Sequence, residues 1–343
     1  MVTKINEITA SGSLVKITYD LGSVDSNFTT DESISDVKFT LSKEERKIDG
    51  FPEETQECFS NHLGLWMVEP MWMKQAITMI KSGTWKPIAD GHEDNKNNKK
   101  RSFAVSRGTA IIPIFGPMMK FESKFGGSST LVVRKQIRDA ANDSRINAIL
   151  LHIDSPGGHV AGTKELADDV VSANAKKPVF AHIDDLGASA ALWVASQARQ
   201  IFANTMAQVG SIGVFAVVED ASEAFEKAGI KVHVISTGKF KGEFVDGTEI
   251  TKAQLEEAQK RIDGINEHFL DAIKIGRNLD DKKLKEIADG RIFDAAKAKE
   301  LGLIDGVQSL DMTLEHIAVE KKMSKIPNLQ RVNALINLAE IEA

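Results

Sequence analysis

The sequence predicts an α/β fold built on a mostly parallel sheet, and three observations carry that reading. From about residue 108 onward, short apolar runs and helix-period segments alternate at close intervals, the pattern of strands joined by right-handed helical crossovers. The stretch "INAILLHID" (146–154) is almost continuously apolar, as a strand covered on both faces must be. The chain's 343 residues, 42% hydrophobic and 27% charged, are enough for one large globular domain with a smaller appendage.

In chain order, residues 1 to about 50 alternate polar and apolar in "SLVKITYDLG" and "SDVKFTLS", which fits a few half-exposed strands or a loosely ordered arm. The Met-, Trp- and Leu-rich "FSNHLGLWMVEPMWMKQAITMIKSG" (59–83) reads as an amphipathic helix packed on the main body, with a docking surface as the alternative. "ADGHEDNKNNKKRS" (89–102) has too few apolar groups to offset its ordering entropy and reads as a linker. The expected organisation is an N-terminal extension over 1–88, a flexible linker over 89–106, the α/β domain over 107–320 and a helical tail over 321–343.

Within the α/β part, "GTAIIPIFG" is a strand, and Val133, Ile137, Ala140 and Ala141 follow helical spacing. After "INAILLHID" come a helix in "VAGTKELADDVVSANAKK", a strand in "PVFAHID" and a helix in "ASAALWVASQA". "ARQIFANT" and "SIGVFAVV" read as strands, "ASEAFEKAG" as a helix and "IKVHVIST" as another strand. A long helix then runs through "TKAQLEEAQKRIDGINEHFLDAIKIGRN", opened by Thr251 as its cap.

Composition excludes several classes. A net charge of −6, from 49 acidic against 43 basic side chains, leaves no electrostatic footprint for nucleic acid or an anionic membrane. One cysteine, Cys58, excludes an internal disulfide framework and a thiolate-rich metal site. No apolar run reaches the roughly 18 residues of a membrane span, and "MVTKINEITASG" lacks the basic start and apolar core of a secretory signal. The expectation is therefore a cytoplasmic protein. No GxxxxGK[ST] motif is present, so any unfolding ATPase would be a separate chain.

Three loops carry candidate chemistry. In "HIDSPGGHVAG", a Pro-Gly-Gly turn between a buried strand and a helix frees backbone N–H groups, as an anion cradle or oxyanion hole needs. An ordinary tight turn has the same sequence signature. In "LGASAALW", Ser189 stands at a strand-to-helix junction, where it reads either as a helix N-cap or as a nucleophile backed by the amide of Ala190.

A serine nucleophile needs a base, and the eight histidines do not supply one. His152, His182 and His233 fall in strand patterns and read as satisfied core histidines. His62, His92, His268 and His316 lie in helix or linker contexts. His159 follows the glycine pair, where it can line a groove but is poorly placed as a base.

The third loop, "STGKFKGEF", offers Lys239 and Lys241, alternatively a solvated charged turn. An ordinary lysine is neutral about once in 2,500 at pH 7, so a lysine base requires a site that strips its water.

Taken together, these loops resemble the signal peptide peptidase A family of serine peptidases, in the ClpP/crotonase fold group. The likeness runs from about Gly108 to Met312. "IDSPGG" is similar to the family's first oxyanion-loop motif, "GASAALWVA" to its nucleophile segment, "QVGSIGV" to a further signature, "STGKFKGEF" to its lysine loop and "GRIFDAAKAKELGLIDGV" to its C-terminal segment.

The resemblance implies a ClpP/crotonase-like core of repeated β-β-α/β-α units and peptide hydrolysis by a serine–lysine dyad. It puts the nucleophile at Ser189 and the general base at Lys241. It puts the oxyanion donors at Gly157 or Gly158 and Ala190, with Ser211 orienting the lysine amine. It implies no cofactor and no metal.

Two departures stand out. Ala190 and Ala191 follow the serine where the family often has Gly-Gly, and Gly242 separates Lys241 from Glu243 where the family often has an acidic neighbour. A Ser-His-Asp triad of the ClpP type is disfavoured, since the next histidine after Ser189 is His233.

The front segment, linker and "ASAALW" variant look most like the capsid-assembly peptidases of tailed bacteriophages. That likeness implies a homo-oligomer acting inside a procapsid in the host cytoplasm. Scaffold protein would be its substrate, the chain itself a further one, and capsid or portal proteins its partners. Nucleic acid and membrane are not expected partners. A soluble bacterial housekeeping peptidase and an inactive shell-associated protein of the same fold are the alternatives.

Overall fold

The computed structural model describes residues 4–11, 14–20, 66–82, 103–123 and 126–324. The chain divides into two units, Met1–Pro52 and Glu53–Ala343. In the first, strands Lys4–Ser11 and Leu14–Asp20 pair antiparallel, the strand alternative for this region. "SDVKFTLS", the linker at 89–102 and the tail beyond 324 lie outside the described residues.

The second unit is built on an eight-stranded sheet. Its central strands are Thr109–Phe115, Ala148–Ser155 and Val179–Ala188, all parallel. The last forks: its first half pairs with Gln200–Ala203 and its end with Gln208–Gly210. Antiparallel strands Ala104–Ser106 and Ile292–Asp294 close the two ends of the strand path. This is the mostly parallel α/β core expected of a ClpP-like fold.

Both faces of the sheet are covered, and residue parity shows it. Ile149, Leu151, Ile153, Ala181 and Ile183 enter the main core, whereas Ala148, Leu150 and Phe180 pack with Ile317 under the C-terminal helix Leu310–Ser324. A continuous apolar run is the signature of such two-sided burial.

The helix Ala190–Ser196 is buried at every position, and Trp193 stacks on Phe269 of the long helix Lys252–Arg277 with ring centroids 5.0 Å apart. That full burial is why Ser189 stands among alanines rather than charges. Thr251 caps the long helix as expected: its hydroxyl accepts from Gln254 N at 3.3 Å, and the Gln254 side chain accepts from Thr251 N at 2.8 Å.

Three expectations need correction. "IKVHVIST" forms no strand; Ile235 is 99% exposed and Val234, beside Gly242, 42%, so no second strand among the described residues pairs with them. "SIGVFAVV" is likewise irregular apart from one antiparallel bridge at Phe215; the strand of this region is Gln208–Gly210. Of the 59–83 segment, the described residues 66–82 form a strand, Trp66–Val68, followed by a helix, Pro70–Lys81, rather than one helix.

Candidate active site

Two parallel neighbours, Ala148–Ser155 and Val179–Ala188, end side by side, with Gly187 in register with Ser155. Their C-terminal ends therefore deliver the Pro156–Gly158 turn and Ser189 to one edge of the sheet. This is where an open parallel sheet presents its functional loops.

Ser189 sits at the N-cap position of the Ala190–Ser196 helix, but its hydroxyl makes no capping bond. Its backbone holds φ 53° and ψ −118°, a region that a side chain rarely adopts. The amide of Ser189 donates to Gly210 O at 2.8 Å and its carbonyl accepts from Trp193 N at 3.0 Å, which clamp the turn from both sides. The residue is 1% exposed, and Oγ has no hydrogen-bond partner among the described residues. The hydroxyl therefore does no capping, and it stands unpartnered on a strained strand-to-helix junction.

The glycine turn lies against this elbow. A side chain at Gly157 (φ 94°) would stand 2.9 Å from both Ala188 O and Ala190 N, and 2.2 Å from Met67 O. At Gly158 it would meet Met118 O at 1.9 Å. Both positions need glycine because backbone approaches from two directions. Ser155, which sequence reasoning did not single out, fixes the turn: Oγ donates to Gly116 O at 2.6 Å and accepts from Gly157 N at 3.2 Å. Ala190 is buried as the first helical residue, so its N–H is one of the donors with no intrahelical acceptor.

Gly157 thus lies against Ala188 and Ala190, the two neighbours of Ser189 in the chain, whereas Gly158 packs against the backbone of Met118. Ser211 lies next to Gly210, the acceptor of the Ser189 amide; it is buried, with φ 53°, and its own amide donates to Arg291 O at 2.8 Å.

Lys241 is not brought to Ser189 within the chain. It sits in an exposed turn, tied there by its amide on Gly238 O at 3.0 Å. Lys239 is also exposed, its amine 5.1 Å from the Phe240 ring. Glu243, separated from the lysine by Gly242, forms an ion pair with Arg261 of the long helix.

The histidines divide. His152 Nε2 bonds Asp184 at 2.6 Å, and His182 bonds Thr313 through Nδ1 at 2.9 Å while its buried Nε2 has no hydrogen-bond partner among the described residues, so His182 is only half satisfied. His233 is instead exposed, which corrects its placement in a core strand. His159 stacks edge-on against Trp66 with centroids 4.2 Å apart, lining the site rather than serving it as a base. Behind the glycine turn, burial and then the neighbouring Asp185 push the Asp154 carboxyl above the ordinary aspartate range. Burial pushes His182 below the ordinary histidine value.

An elbow serine between a glycine turn and a helix N-terminus, on a parallel sheet, defines a serine-hydrolase-like site in a ClpP-type fold. Residues 172–324 match the model of Peptidase family S49.

Among curated proteins, the chain is 34% identical over 163 residues to a putative protease of Synechocystis sp., covering 48% of this chain and 59% of that one. It is 28% identical over 250 residues to capsid assembly protease C of Escherichia phage lambda, covering 70% and 56%. It is 28% identical over 192 residues to the putative signal peptide peptidase SppA of Enterococcus faecium, covering 55% of each. The chain spans somewhat more than half the length of these relatives. Among the described residues, no helix is long and apolar enough to cross a membrane.

Proposed function

We propose that the protein is a serine endopeptidase with a Ser189–Lys241 dyad, acting during phage capsid assembly on scaffold protein and on itself. The observation that carries the reading is the buried Ser189 hydroxyl, unpartnered on a strained elbow beside Gly157 and the Ala190 amide. The uncharged Lys241 amine takes the Oγ proton as Oγ adds to a peptide carbonyl. Amides of Gly157 or Gly158 and of Ala190 hold the oxyanion. The leaving amine departs with a proton from the lysine, and water, deprotonated by the same lysine, releases the acyl group. Similarity to a capsid assembly protease favours the phage setting; similarity to SppA supports a bacterial housekeeping peptidase as the second reading.

Because Lys241 is exposed in the single chain, its water must be removed by something else, and a second copy of the chain is the proposed cover. Residues 217–250 carry Val217, Ile230, Val234, Ile235 and Val245 in the open, more apolar surface than an isolated arm tolerates. "IKVHVIST" keeps the alternation of a strand and lacks only a partner.

The test mixes two inactive variants. Ser189→Ala and Lys241→Ala should each lose cleavage of a candidate scaffold, followed by mass spectrometry, whereas Lys239→Ala should keep it. Co-assembled Ser189→Ala and Lys241→Ala chains should regain part of the activity, since mixed neighbours rebuild an intact site. Activity retained in Lys241→Ala would refute the dyad, and no complementation would refute the shared site.

A further inference from the structure

The strand Trp66–Val68 lies where a peptide would. It runs antiparallel to Gly157–His159, the strand that leaves the glycine turn, with Trp66, Met67 and Val68 opposite His159, Gly158 and Gly157. Its other edge is held by Phe215: Trp66 N donates to Phe215 O and Phe215 N to Trp66 O, both at 3.0 Å. Glu69 N donates to Pro156 O at 2.7 Å. A three-residue segment bonded along both edges, between the glycine strand and the chain following Ser211, has the form of a substrate added by strand pairing.

Its position relative to the chemistry is equally specific. The Met67 carbonyl and the Ala190 amide face the same side of Gly157, at 2.2 and 2.9 Å from where its side chain would be. Met67 is fully buried, and Ser189 is 1% exposed. The helix Pro70–Lys81, just after the strand, anchors it weakly: among that helix's described side chains only Ala76 is buried, while Met71 is 67% exposed.

We propose that Trp66–Val68 is a built-in occupant of the peptide track, so that a substrate strand enters only when this segment leaves. The proposal rests on the peptidase reading of the Ser189 site and adds its regulation. It predicts a full chain that is largely shut until the strand is displaced, by assembly or by a competing substrate.

The test locks and releases the strand in the full chain. Trp66 spends its backbone groups on Phe215, so Trp66 and His159 face each other as a non-hydrogen-bonded pair, the closer kind. The triple variant Cys58→Ser, Trp66→Cys, His159→Cys therefore closes a reducible lock across the track. Trp66→Pro removes the N–H given to Phe215 and releases it.

Oxidised, the locked chain should cleave a denatured protein at least about tenfold more slowly than the same chain reduced, the factor expected when the open track is populated a tenth as often. Trp66→Pro should cleave faster than wild type with a melting temperature close to it. Equal rates in the oxidised and reduced forms, or a global loss of stability in Trp66→Pro, would make the strand a permanent part of the fold and overturn the proposal.

A second readout needs no chemistry. With Ser189→Ala added, a labelled peptide of sequence NHLGLWMVEP should bind the reduced form and bind the oxidised form at least about tenfold more weakly by fluorescence anisotropy. Equal binding would overturn the proposal even if hydrolysis is seen. Differential binding without any hydrolysis would overturn the peptidase reading alone.

Discussion

The backbone of Ser189 supplies a test of the elbow that does not depend on the reaction. The perturbation is a pair of variants, Ser189→Gly and Ser189→Ala, both lacking the hydroxyl. At φ 53° and ψ −118° the residue lies outside even the left-handed helical region, in territory that is essentially glycine's. Alanine retains the Cβ and the strain, about 2–3 kcal/mol at the upper end of the usual range. Glycine sheds that strain but gives up about 0.5–1 kcal/mol in unfolded-chain entropy and about 0.8 kcal/mol for the lost buried methyl group.

The glycine variant should therefore be the more stable of the two by about 0.2–1.7 kcal/mol, reversing the order found at ordinary helical positions. Urea unfolding followed by far-UV circular dichroism, with matched slopes, resolves that difference. A glycine variant less stable than the alanine variant by about 1 kcal/mol would show that the elbow carries no strain and would remove the main structural argument for a nucleophile at this position.

Other outcomes rest on the same geometry. Gly157→Ala places a methyl group against Met67 O, Ala188 O and Ala190 N at a φ of 94°, and should lower stability by at least about 2 kcal/mol in thermal unfolding. Because burial holds His182 below the ordinary histidine value, the unfolded chain takes up its proton first. Its contribution to stability is intact above about pH 6.5 and is lost as pH falls through that range toward the depressed folded value. His182→Gln, which keeps a polar group near Thr313 and Asp184, should flatten that slope in urea midpoints between pH 7.5 and 5.5. Thr251→Ala removes the hydroxyl half of the capping box and should weaken the first turn of the long helix by about 1 kcal/mol, read as faster amide exchange around Gln254.

What the sequence by itself determined is local. "INAILLHID" and "PVFAHID" announce two-sided burial, "ASAALWVA" a helix with no exposed face, and Ser189 the junction where a strand end meets a helix start; the Gly pair, expected at such a junction, instead forms the strand Gly157–His159, and the next helix starts only at Thr163. Each is encoded within a dozen residues, because apolar periodicity and turn chemistry depend on neighbours along the chain.

Tertiary structure decided whatever depends on a neighbour from elsewhere in the chain. It put Trp66–Val68 against Gly157–His159, about ninety residues away, where helical periodicity alone favoured a helix. It left the alternating "IKVHVIST" unpaired, since alternation marks a face to be buried without saying what buries it. It paired His152 with Asp184 and left Lys241 exposed, because the surroundings of a side chain are set by segments distant in the chain and not by its place in a motif.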